Sequence, residues 1–213
     1  LWVPFELGRP LGAPNNPDFQ IKVLRKSLLL LESNSGPVLL EDFDEEAPIG
    51  DVRNNEDLEG WVCPVSFPPP PSDRSQLELA LLAEIESLSP WYNFSVQTKG
   101  RSSVGASQLS VTQIATFFIK FLEGEVKNPQ PEISLGNFLK IASEDIKAWY
   151  MEAATAQPGH STSLEIQNWF WGKTTAGAIF LDLNRVFAIS DDPLLQYMSR
   201  SSFVPRNQRF RLN

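Results

Sequence analysis

TSLEIQNWFWGKTTAGAIFLDLNRVFAI, residues 162–189, decides what kind of fold this chain adopts. Thr162 and Glu165 have capping-box spacing, in which hydroxyl and carboxylate each satisfy a first-turn N–H. Apolar residues then recur on every side: Trp169, Phe170, Trp171, Ile179, Phe180, Leu181, Leu183, Val186 and Phe187. The pattern predicts one helix from Thr162 to about Ile189, without a polar face. Such a helix belongs in the middle of a bundle or at an interface.

The flanking sequence supplies partners for it. Downstream, Asp191-Asp192-Pro193 opens a short helix carrying Leu194, Leu195, Tyr197 and Met198. Upstream, Pro158-Gly159 breaks a helix whose stripe is Leu135, Phe138, Leu139, Ala142, Ile146, Trp149 and Ala153, with Ser134 as its cap. Ser110 and Gln113 form another capping box ahead of Ile114, Phe117, Phe118, Phe121 and Leu122. Asp73 is expected to open a helix with Leu77, Leu81, Leu82, Ile85 and Leu88 on one face, stopped by Pro90. Tyr92, Phe94, Val96 and Thr98 alternate with polar residues before Lys99-Gly100-Arg101, the pattern of a β-hairpin. The expectation is a mainly α protein: a bundle of about five helices, with a small N-terminal α/β unit and the hairpin.

That N-terminal unit reads strand, turn, helix, strand. Trp2, Val3, Phe5 and Leu7 suggest a strand, and Gly8, Pro10, Gly12 and Pro14 break the chain. Asn16-Pro17 is a helix start, since Asn caps a free N–H and Pro suits the first helical position. The helix should run to about Glu32 with Phe19, Val23, Leu24, Leu28 and Leu31 as its apolar stripe. Val38-Leu39-Leu40 is expected as a short buried strand. The divisions are 1–48, the end of an α/β unit; 49–72, an acidic, proline-rich connection ending in Pro68–Pro71; 73–205, the helical domain; and 206–213, a basic tail. Trp61 and Phe67 are expected to pin the connection down. The chain opens at Leu1 in mid-pattern, so it is expected to be part of a longer protein.

Composition limits the function. The 213 residues are 42% hydrophobic and 11% aromatic, with six Trp and fourteen Phe, enough for a core. Net charge is −8, and residues 41–59 hold nine acids against Arg53 alone. That argues against nucleic acid as a main partner, because phosphate binding needs Lys and Arg. No apolar run nears the roughly 20 residues that span a bilayer, so no membrane partner is expected, and no signal peptide is visible. Cys63 is the single cysteine. It excludes an internal disulfide and points to a reducing, cytoplasmic setting.

Motifs for chemistry are weak. Trp171-Gly172-Lys173-Thr174 ends like a phosphate loop, but Gln167 stands where its first glycine should be. Glu144, Asp145, Glu152 and Glu165 lie on helices, yet the only histidine, His160, has no Glu three residues before it, as a di-metal site requires. Cys63 has no base beside it. No catalytic residue, metal or cofactor is therefore assigned. The feature with binding character is aromatic: Trp149, Tyr150, Trp169, Phe170 and Trp171, with Gly172, Ala176, Gly177 and Ala178 below. Trp149, Trp169, Trp171, Gly172 and Ala176 are the candidate ligand-binding residues, though core packing is the default for such a set.

FELGRPLGAPNNPDFQ, followed by KVLRKSLLLLE and GPVLLEDFDEEAP, resembles a segment near the end of selenoprotein B of the glycine, sarcosine, betaine and D-proline reductases. The resemblance covers Val3 to Pro48, and Gly8, Arg9, Pro10, Leu11, Gly12, Pro14 and Phe19-Gln20 carry it. It implies an α/β reductase family that cleaves a C–N bond with selenocysteine or cysteine, using electrons from thiol partners. The family's redox residue lies upstream of the Gly-Arg-Pro-Leu-Gly block, and Cys63 does not match its motif. Gly8, Arg9, Pro10 and Gly12 carry over only as a structural turn. Residues 74–205 look like the helical extension of uncharacterised bacterial relatives. Three functions follow as expectations: a non-catalytic scaffold or assembly domain of a reductase-like protein whose redox centre lies elsewhere; a stand-alone helical protein binding an apolar molecule; or a structural subunit that dimerises. A homo-oligomer and an upstream redox domain or protein are the expected partners.

Overall fold

A computed structural model describes residues 1–5, 10–13, 16–36, 38–48, 66–71, 73, 76–125, 127–159, 162–201 and 203–212. The chain divides into two units, Leu1–Gly60 and Trp61–Asn213.

In the first unit the Asn16 side chain accepts from the Phe19 N–H at 3.1 Å and starts α1, Pro17–Leu29, which tightens into a 3-10 turn over Leu30–Glu32. Phe19 and Val23 turn inward onto Phe43, with Phe5 completing a triangle of rings 5.6–5.9 Å apart. Gly12 lies at φ +80° against the Phe19 ring, where a Cβ would collide with that ring. Only glycine meets both conditions without strain. The expected strands reduce to one parallel bridge between Trp2 and Asp42, with Trp2 N–H donating to Glu41 O at 2.7 Å and Phe43 N–H to Trp2 O at 2.8 Å. Val38-Leu39-Leu40 is not a buried strand: Val38 is 89% and Leu40 72% exposed. Its apolar run is short and finds no partner layer.

The second unit is a helical assembly of α2 (Leu77–Lys99), α3 (Val111–Leu122), α4 (Leu135–Thr155), α5 (Ser163–Lys173), α6 (Thr175–Ala188) and α7 (Pro193–Ser201), closed by a 3-10 helix over Arg206–Leu212. This unit holds six α-helices among the described residues, not about five, and no hairpin.

Two corrections account for the difference. First, α2 does not stop at Pro90 but runs through it to Gly100, whose φ of +65° and N–H bond to Val96 O at 2.8 Å close the helix. The burial pattern explains this: Leu77, Leu81, Ile85, Leu88 and Ser95 keep helical spacing across the proline. Tyr92 stacks on Trp149 of α4 at 5.2 Å, so packing holds the residues after Pro90 in the helix. The period-2 pattern over Tyr92–Thr98 is incidental; Phe94 is exposed. Second, residues 162–189 form two helices. Thr174 is extended, and its hydroxyl both donates to Phe170 O at 2.7 Å and accepts from Gly177 N at 2.9 Å. One side chain thus ends α5 and caps α6.

The remaining helix starts follow their caps. Ser110 with Gln113, and Thr162 with Glu165, form complete capping boxes, and Ser134 caps α4. Asp192 accepts from Leu194 N–H at 2.8 Å at the start of α7. The α2 helix begins at Leu77, past Asp73. The expected basic tail is folded structure. Arg209 donates to Arg200 O and Ser201 O at the end of α7, and Gln208, 1% exposed, bonds Asn168 of α5. Phe67 packs against Trp169 with ring centres 6.2 Å apart. Trp61, Cys63 and His160 lie outside the described residues. No helix among the described residues is long and apolar enough to cross a membrane.

Candidate functional site

Helix α1 carries two apolar faces. At about 100° per residue, Val23 lies about 40° round the axis from Phe19, whereas Leu28 lies about 180° away. The inner face is the Phe19–Val23 side. The outer face presents Ile21, Leu24, Leu28 and Leu29 to solvent, with Leu28 63% exposed. These four line an open groove of 310 Å³ together with Arg25 and Glu32. Leu31, in the 3-10 turn, is 82% exposed. Leu24, Leu28 and Leu31 were expected on the buried stripe with Phe19 and Val23; they lie outside it because two stripes, not one, share this helix.

The polar side chains of α1 separate the two faces. Lys22 bonds Glu45 at 2.7 Å and Lys26 bonds Asp42 O at 3.0 Å, so both tie the return segment down. Arg25 and Glu32 are different: neither makes an ion pair among the described residues. They stand seven residues apart, within about 20° of one line along the helix. Single exposed leucines are ordinary on a protein surface; here four aliphatic side chains adjoin one another with Arg25 and Glu32 at the border.

The aromatic candidates lie in the second unit's core. Trp149, Trp169, Trp171 and Ala176 are all buried in one cluster. Tyr150 meets Phe170 at 5.4 Å and Trp169 at 6.2 Å, and Trp171 meets Phe180 edge-on at 5.8 Å. Gly172 is set apart from them. It sits at the surface beneath the Arg211 guanidinium, which a Cβ there would displace. Of the candidate turn residues, Pro10 and Gly12 belong to the turn ahead of α1, while Gly8 and Arg9 lie outside the described residues.

Sequence reasoning missed a buried carboxylate. Glu84 of α2 is 3% exposed and accepts from the N–H groups of Thr175 and Ala176 at the start of α6 and from the Tyr150 hydroxyl of α4. One side chain therefore joins three helices. Burial raises its pKa above the usual carboxyl value and outweighs the hydrogen bonds that lower it. Burial, and then the Glu84 charge, also raise the Tyr150 phenol. The available signal was position: Glu84 lies three residues after Leu81 and four before Leu88, on the buried stripe.

The other carboxylates have structural partners. Asp145 is 1% exposed and collects the N–H groups of Gly105, Ala106 and Ser107 at 3.0, 3.1 and 2.8 Å, plus the Ser107 hydroxyl. Two turns further along α4, Glu152 accepts from Ser103 N–H, Ser103 hydroxyl and Ser102 hydroxyl. Partial burial pushes Glu152 up, but those bonds and the Lys99 charge together bring its pKa below the usual value. Glu144 pairs with Lys147 and Glu165 serves its capping box. Among the described residues no group of three or more His, Cys, Asp or Glu could hold a metal ion. Asp145 and Glu152 thus fasten the loop ahead of α3 to α4. A scan against protein-family models found no match, and neither the curated proteins nor the solved structures yielded a significant one.

Proposed function

We propose that this chain is a non-catalytic scaffold or assembly module of a reductase-like protein, with the redox centre on another domain or protein. The observation that carries this is the outer face of α1, where Ile21, Leu24, Leu28 and Leu29 line an open groove. Water contact with that much aliphatic surface is unfavourable, and docking removes it. The engagement of Asp145, Glu152 and Glu165 in structural bonds also favours a scaffold role. The reductase connection rests on the resemblance over Val3–Pro48, the stretch that contains α1. The packed aromatic cluster around Trp149, Trp169 and Trp171 favours a core role over a ligand site for those side chains.

Thiol labelling tests the assembly role. In a Cys63→Ser background, Leu28→Cys is reacted with a maleimide across a range of protein concentrations, alone and in the presence of the parent organism's extract. An assembly face labels slowly when docked and at the free-thiol rate when diluted. Free-thiol labelling under every condition rejects the proposal.

A further inference from the structure

We infer that the occupant of the α1 groove is a second copy of this chain, docked about a two-fold axis near Leu28 and Leu29. This rests on the assembly role just proposed and names its partner. Charge complementarity carries it. The groove is aliphatic except for Arg25 at one point and Glu32 two turns further on, and neither has an ion-pair partner among the described residues. The midpoint of positions 25 and 32 falls between Leu28 and Leu29. A two-fold axis there sets the two helices antiparallel and brings Arg25 of each copy toward Glu32 of the other. The surface is thus self-complementary, as an isologous interface must be. An acidic partner would leave Glu32 opposed to like charge, and a basic one would leave Arg25 so opposed. The hydrophobic residues follow the same geometry. Leu28 and Leu29, at the axis, are 63% and 55% exposed, and Leu31 beside them is 82% exposed. The lysines on the neighbouring face, Lys22 and Lys26, are bound to the chain's own return segment and leave the seam free.

The experiment is sedimentation equilibrium of the full chain, with circular dichroism to confirm that each variant folds. The wild type should be a reversible dimer. Arg25→Glu and Glu32→Arg should each weaken it at least tenfold, since each places like charges across the axis. Mixed together, the two single variants should form a heterodimer, because one then presents two acids and the other two bases. Leu28→Glu should be monomeric with an unchanged circular-dichroism spectrum, as Leu28 is not in the core. A monomeric wild type, a dimer indifferent to Leu28→Glu, or failure of the mixed variants to pair overturns self-docking. The Leu28→Cys labelling separates the two proposals. A monomer whose thiol is protected only in the extract keeps the assembly role and rejects the second copy. A monomer labelled freely in every condition rejects both.

Discussion

The Tyr150 hydroxyl donates to Glu84 at 3.0 Å inside the junction of α2, α4 and α6. Both residues are buried, and the same carboxylate holds two N–H groups at the start of α6. Glu84→Ala should therefore destabilise the chain by about 3 kcal/mol, because it leaves buried donors without acceptors. Tyr150→Phe removes one bond and should cost about 1 kcal/mol. Urea denaturation checks both values.

The same carboxyl predicts a pH signature. Its pKa in the folded chain lies above the ordinary value of 4.5. The folded state then holds a proton that the unfolded state has released. The stability this supplies is complete below pH 4.5 and is lost as pH rises through the folded value. The stability of wild type minus that of Glu84→Gln should fall as pH is raised from 4.5 toward neutrality. A flat or rising difference contradicts it.

Glu152 should behave in the opposite sense. Its folded pKa is depressed, so its contribution is present above the ordinary value of 4.5 and lost as pH drops through the folded one. Wild type minus Glu152→Gln should shrink on acidification below pH 4.5. Asp145→Ala, which strips three backbone N–H groups and a hydroxyl of their acceptor, should cost about 3 kcal/mol. Hydrogen exchange at Gly105, Ala106 and Ser107 should accelerate with it.

Two glycines on adjoining helices should respond differently to alanine. A Cβ at Gly177 collides with the Phe170 carbonyl, part of the rigid corner at Thr174. Gly177→Ala should cost about 2 kcal/mol or more. A Cβ at Gly172 meets only the end of the Arg211 side chain, which can move. Alanine gains there about 1 kcal/mol of helix propensity, so Gly172→Ala should be near neutral in thermal melts.

Pro90 lies inside α2, where it deletes one helical hydrogen bond. Pro90→Ala should stabilise the chain by about 1 kcal/mol by restoring that bond in a helix already continuous. Loss of stability there would mean that α2 depends on a bend at Pro90.

Local chemistry was legible in advance. Asn16, Ser110, Ser134 and Thr162 act as caps because each has a short oxygen-bearing side chain positioned for a first-turn N–H, a matter of a few residues. The buried stripes of α3 and α4 follow from spacing alone. Glu84 was hidden because a carboxylate on an apolar stripe acquires its role only from α4 and α6, distant in sequence.

The sequence by itself determined that the chain is mainly helical and where most helices start, since capping and periodicity are local. Only the tertiary structure decided that α2 passes through Pro90, that Thr174 splits residues 162–189 and that the tail folds. Each of those outcomes depends on packing or bonds that outweigh a local preference. The same holds for α1. Leu24, Leu28 and Leu31 read as core by spacing, and the docking of Phe19 and Val23 onto Phe5 and Phe43 left them outward, because one helix side can face only one neighbour.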